Sequence, residues 1–197
     1  MKNRKILAAA MIIGLICMLN GCIMIRLSDG DVVSQERSVG SFRGVILEGA
    51  GNVNIYHSEN FRVVVTADSC VQENIITKIS GNYLVIDRKG VFSTSKLKID
   101  VYMPELSYVE LEGAGNIKIN DGYATNLRLI LSGYGNIDAR NFQAENVNVV
   151  LSGAGDIKTW AAYSLTGTLS GVGSIMYRGY PYIININRTG IGTVEKI

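Results

Sequence analysis

The side chains able to do chemistry are few and far apart in this sequence. Histidine occurs once, at His57, and the cysteines are Cys17, Cys22 and Cys70. A nucleophilic triad would have to be built on His57, and a zinc site would have to join His57 to Cys70 without further ligands of those kinds. Polysaccharide cleavage needs clustered carboxylates. Asp100, Asp138 and Asp156 would supply them only if their segments align in space. The reading is a chain with no catalytic residue, no metal and no cofactor, in which His57 is a satisfied surface or edge residue.

One motif resembles a phosphate-binding loop and fails as one. Gly-x-Gly occurs at Gly49–Gly51, Gly113–Gly115, Gly133–Gly135, Gly153–Gly155, Gly171–Gly173 and Gly190–Gly192. A dinucleotide fingerprint needs a third glycine three residues further on. Those positions hold Asn54, Lys118, Asp138, Lys158, Met176 and Glu195. Calcium-binding β-rolls repeat every nine residues, with an aspartate at a fixed place after the glycine. Here Asp156 and Asp138 fall at different places. The glycines read as structural turns.

Aromatic residues are the remaining candidates. The chain has ten tyrosines and one tryptophan, and Tyr177, Tyr180 and Tyr182 cluster around Pro181. Exposed rings on a rigid face can stack on a sugar or anchor a protein. The expected ligand site, if the chain has one, comprises Trp160, Tyr177, Tyr180 and Tyr182. The competing expectation is that these rings form a lid over the last coil.

The elements that would position such a site follow from the repeats. From Gly113 the cassettes recur in steps of 20, 20, 18 and 19, the mark of a stacked-coil protein. Upstream of each first glycine, apolar residues alternate, as in Leu127, Leu129 and Leu131 or Val147, Val149 and Leu151. That period marks a strand with one buried face. Ile117, Ile137, Ile157, Ile175 and Val194 recur four positions after the first glycine. A coil of this length cannot hold a βαβ unit, which needs about 30 residues. The fold class is therefore all-β: a single-domain, right-handed parallel β-helix, or β-solenoid, with Gly-x-Gly corners.

Asn116, Asn136, Asp156, Ser174 and Thr193 should form a polar ladder, and Lys118, Asp138 and Lys158 a charge-alternating one. Arg188 replaces the inward leucine of the last coil, as a polar end cap would require. Asp121 to Asn126 and Lys158 to Ser164 read as loops joining coils. The first cassette begins at Gly49 and the second only at Gly113, several coil lengths later. Residues 38–104 read as initial coils broken by hairpin-like excursions. One such hairpin turns at Ser80-Gly81-Asn82.

Residues 1–21 read as a targeting segment. Lys2, Arg4 and Lys5 precede an apolar run from Ile6 to Leu19, which is short for a membrane span. Leu19-Asn20-Gly21-Cys22 resembles a bacterial lipoprotein cleavage box, with Asn20 departing from the usual small residue. It implies a lipid on Cys22, and Ile23 in place of aspartate favours the outer membrane. Removing the leader takes three positive charges from a chain of net charge +2. The slightly acidic remainder argues against nucleic acid. Cys70 is then left without an intramolecular disulfide partner. Residues 22–37 read as a tether and 38–197 as one domain.

The phrases Leu111-Glu112-Gly113-Ala114-Gly115-Asn116-Ile117, Leu131-Ser132-Gly133-Tyr134-Gly135-Asn136-Ile137 and Leu151-Ser152-Gly153-Ala154-Gly155-Asp156-Ile157 resemble the auto-transporter adhesin head GIN domain. The likeness runs from about Phe42 to the C-terminus, through Tyr177-Arg178-Gly179 and Gly190-Ile191-Gly192. It implies a β-helical module exported to the envelope, commonly behind a lipoprotein signal. Adhesion to a glycan or to an envelope or host protein is the implied role. Related toast-rack modules in envelope-stress systems make a structural or sensing role the alternative. The family offers no established functional residues to transfer.

Overall fold

The computed structural model describes residues 26–27, 31–90, 92–93 and 97–197. The first strands are β1 (Arg26–Leu27), β2 (Val32–Arg37), β3 (Gly44–Leu47), β4 (Ala50–His57) and β5 (Arg62–Asp68). A 3-10 helix over Ser69–Asn74 is the one helical element among the described residues. Next come β6 (Ile75–Ser80), β7 (Tyr83–Arg88), β8 (Phe92–Ser93), β9 (Lys98–Met103), β10 (Tyr108–Leu111) and β11 (Ala114–Ile119). The chain ends with β12 (Tyr123–Leu131), β13 (Tyr134–Leu151), β14 (Ile157–Leu169), β15 (Ile175–Arg178), β16 (Ile183–Arg188) and β17 (Val194–Lys196). The fold is all-β.

Two runs of parallel pairing make the body. One passes β7–β3–β10–β12–β13–β14–β16. The other passes β9–β4–β11–β13–β14–β15–β17. They meet in the long strands β13 and β14, so a path of eleven strands from β2 to β6 curls nearly closed around one core. Equivalent positions of the repeats pair directly. Val53, Ile117, Ile137, Ile157 and Ile175 form one buried ladder, and Leu47, Leu111, Leu131, Leu151 and Leu169 form another. Each fully buried side chain of this size stabilises the fold by about 1.5–3 kcal/mol.

The cassette glycines are required by the closeness of neighbouring coils. At Gly135, φ is +133°, and a Cβ would lie 1.7 Å from the carbonyl oxygen of Gly115. Gly133 has no such φ, but a Cβ there would lie 2.0 Å from the Gly113 carbonyl oxygen. The first glycine of the cassette thus answers a steric demand alone, and the second a steric and a conformational one.

The polar ladder forms as expected. Asn116 Nδ2 donates to Asn52 Oδ1 at 3.0 Å, and Asn136 Nδ2 donates to Asn116 Oδ1 at 2.9 Å. The Asp156 amide then donates to Asn136 Oδ1, and the Ser174 amide to Asp156 Oδ1. Ser174 and Thr193 pair through their hydroxyls at 3.0 Å. Lys118, Asp138 and Lys158 also occupy successive rungs.

Four expectations need correction. Residues 32–37 of the expected tether form β2, antiparallel to β5, because β5 otherwise leaves an open sheet edge. Most of Asp121 to Asn126 and all of Lys158 to Ser164 are strand, since the segments joining coils also pair with their neighbours: Tyr123 pairs with Gln143, and Gln143 with Trp160. The reading of both cassette glycines as turn residues narrows, since positive φ is confined to the second in the coils from Gly113 onward. The last coil is not a polar cap. Arg188 is exposed, yet Ile183, Ile184 and Ile191 are 40%, 49% and 74% exposed beside it. The excursions behave as expected: β5 runs antiparallel to β9, and β6 to β7 across a two-residue Gly81-Asn82 turn.

Candidate functional site

The step between coils shortens where β13 meets β14, and the shortening builds a depression. Ile137 pairs with Ile157, but Leu151 pairs with Leu169, so the offset between partners falls by two along the strand. The difference is taken up by register shifts between Ala139 and Gln143 and between Ala144 and Asn146. Such irregularities re-aim side chains and recur beside functional sites. Here the first shift sets Arg140 and Asn141 outside the ladder. They line a depression of about 580 Å³ together with Trp160, Arg178, Tyr180 and Lys196.

Its cations are held in different ways. Arg140 donates through Nε and Nη2 to the two carboxylate oxygens of Asp138, at 2.9 and 2.7 Å. These bonds hold the Asp138 carboxyl below the usual carboxylate range, with Lys158 adding to the effect. The same pairing raises Arg140. The Lys196 ammonium sits 3.1 Å from the centre of the Tyr180 ring, a cation–π contact. Trp160 is half-buried and pairs with Arg178 across the strands.

The four aromatic residues expected to act together are divided. Trp160 and Tyr180 share the depression. Tyr182 stacks on Tyr163 at 6.3 Å between ring centres. Tyr177 is half-buried against the core. Tyr180 and Tyr182 are 87% and 85% exposed, so neither is covered as a lid residue would be. Sequence reasoning missed Arg140, Asn141, Arg178 and Lys196. For Arg140 and Asn141 the shortened repeat step after Gly153 was the available signal, since it requires a register break in this coil.

Elsewhere the reactive groups are engaged or isolated. Asp100 is bound by Lys98 at 2.8 Å and by the Asn54 amide at 2.9 Å. Asn54 and Lys118 separate it from Asp138 along one ladder, a span of about 14 Å at the usual strand spacing. Asp156 accepts the Ser174 amide. His57 is exposed, and its backbone amide donates to Asp121. Cys70 is an exposed free thiol. Among the described residues, no group of three or more His, Cys, Asp or Glu could hold a metal ion. The cassette amides face carbonyls of neighbouring coils: Gly133 donates to Leu111, Tyr134 to Gly113 and Gly135 to Ala154. A phosphate would find these donors occupied. Cys22 lies outside the described residues.

Comparison with known proteins agrees with this architecture. The crystal structure of a "putative adhesin" from Bacteroides fragilis shares the fold, with 22% identity and a TM-score of 0.59 over 87% of this chain and 100% of that one. A "putative adhesin" from Parabacteroides merdae is 15% identical, with a TM-score of 0.46 over 87% and 98% of the two chains. A "putative lipid binding protein" from Parabacteroides distasonis is 16% identical, with a TM-score of 0.46 over 87% and 99%. Among curated proteins, none matches this sequence. The family model described as "Putative auto-transporter adhesin, head GIN domain" matches residues 41–123 and 113–181, and the chain belongs to that family.

Proposed function

We infer that the protein is a non-catalytic, adhesin-like binding module of the bacterial envelope, lipid-anchored at Cys22 in the outer membrane and binding through its last coils. In this reading the stacked cassettes are a right-handed parallel β-helix acting as a rigid spacer. The observation behind the inference is the placement of the depression. From β2 to β17 the ladder passes eight strand spacings, about 38 Å at the usual spacing. In this reading the anchor precedes β2, so the Trp160–Tyr180 surface lies at the far end from the membrane. Family membership supports a surface or envelope setting.

The exposed isoleucines of the last coil support the alternative of an envelope structural or sensing module with a protein partner. Two experiments test the inference. Detergent-phase partitioning should separate wild type from Cys22→Ala, with the variant moving to the aqueous phase. Equal aqueous partitioning of both would refute the anchor. A glycan array should yield ligands that are lost on changing Trp160 and Tyr180. Specific capture of an envelope protein, with no glycan bound, would favour the alternative.

A further inference from the structure

The depression at the end of the stack is cationic as well as aromatic. Arg140, Arg178 and Lys196 line it, and no Asp or Glu is among its lining residues. Arg140 is committed to Asp138 through Nε and Nη2, which leaves Nη1 outside that fork. Arg178 and Lys196 make no ion pair with a carboxylate among the described residues. The surface therefore presents two cations outside any carboxylate ion pair, Lys196 against the Tyr180 ring and Arg178 beside Trp160.

Trp160 is fixed in place by the backbone that passes over it. Gly179 has φ of +94°, and a Cβ there would lie 2.5 Å from the indole Nε1 and 2.1 Å from the Ala161 carbonyl oxygen. The bare backbone can thus press against the indole edge, with its chain neighbours Arg178 and Tyr180 both lining the depression. A fixed indole loses little freedom when a flat ligand settles on it.

We propose that this depression binds an acidic saccharide. A sugar ring lies against the Trp160–Tyr180 wall, and its carboxylate or sulfate group meets Arg178 and Lys196. Guanidinium groups match the planar geometry of a carboxylate, and the ammonium adds an adaptable point charge. The Asn141 amide offers both a donor and an acceptor to ring hydroxyls. A depression of about 580 Å³ has room for more than one sugar ring. This identity rests on the inference that the far coil is the binding end, and it adds the ligand's charge.

Trp160 is the only tryptophan in the sequence, so its fluorescence reports on this depression. The full chain in neutral detergent micelles is titrated with a panel of carboxylated and sulfated trisaccharides, including trigalacturonate. The methyl-esterified form of trigalacturonate and hexaglutamate are the comparisons. At least one acidic trisaccharide should change the fluorescence saturably, and its uncharged form should bind at least about tenfold more weakly. Arg178→Gln with Lys196→Gln should reduce acid binding to the level of the uncharged form, with an unchanged circular-dichroism melt.

No response to any acidic member overturns the proposal, as does a double variant that binds like wild type. Hexaglutamate binding as tightly as the best trisaccharide also overturns it, in favour of an acidic peptide. Neutral glycans bound through Trp160 and Tyr180 without a charge preference overturn the acidic ligand but leave the broader binding function standing.

Discussion

From β10 to β17 every strand pairing is parallel, while β5 and β6 in the segment between the first two cassettes pair antiparallel to their neighbours. Yet β4 and β11, separated by the whole of that segment, align Gly51 with Gly115 and Asn52 with Asn116. The same alignment joins β11 to β13, which lie a single coil apart in the chain. Register is therefore held by glycine contacts and the Asn ladder, and the length of the intervening chain matters little. Loop-closure cost grows slowly with length, so an excursion can be inserted where the ladder resumes intact. The excursions also cover one end of the stack with antiparallel strands, whereas the last coil exposes Ile183, Ile184 and Ile191.

The contrast is most severely tested at the glycines. Gly135→Val should lose more than about 3 kcal/mol, since both backbone strain and a carbonyl clash oppose it. Gly133→Val, with the clash alone, should lose more than about 2 kcal/mol. Gly40→Ala, before the stack, meets nothing within 4 Å and should change stability by less than about 0.5 kcal/mol. Urea denaturation of the three would order them. A small loss at Gly135 would mean the coils are not held as closely as described.

The ladder should matter next. Asn136→Ala removes the bond to Asn116 and the acceptor for the Asp156 amide, a loss of about 1–2 kcal/mol. Asp138→Asn should have a smaller effect that depends on pH. Its folded pKa is depressed, so the carboxylate contributes stability above its unfolded value near 4 and loses it as pH falls through the folded value. Wild type should therefore exceed the variant at pH 6, and the two should converge in strong acid. Four residues inserted at the Gly81-Asn82 turn should cost no more than about 1 kcal/mol. The same insertion between Gly133 and Gly135 should unfold the distal coils, as monitored by proteolysis.

Strands, cassette stacking and the polar ladder were readable because each depends on period-2 burial or on a repeated turn. Ile137 and Asn136 announce their roles through their equivalents in other coils. The site was less legible. Trp160 and Tyr180 stand out by type, but Arg178 and Lys196 look like ordinary surface charges until the parallel pairing of β14, β15 and β17 sets them beside the rings. Tyr177 and Tyr182 were grouped with them by sequence proximity, whereas strand alternation and the turn at Pro181 send them elsewhere. The apolar character of the last coil was also hidden, because Ile183, Ile184 and Ile191 continue the pattern of residues that have neighbours in preceding coils.

Function at the far end is tested most directly by pairing glycan-array binding with thermal melts for two variants. In Trp160→Ala with Tyr180→Ser, binding should be lost while the melting midpoint moves by less than about 3 °C, because Tyr180 is almost fully exposed and Trp160 half-buried. Tyr177→Ser should lower the midpoint further, since Tyr177 packs against the core. Retained binding in the double variant, or binding lost only together with a collapsed melt, would contradict a ligand site on the last coils.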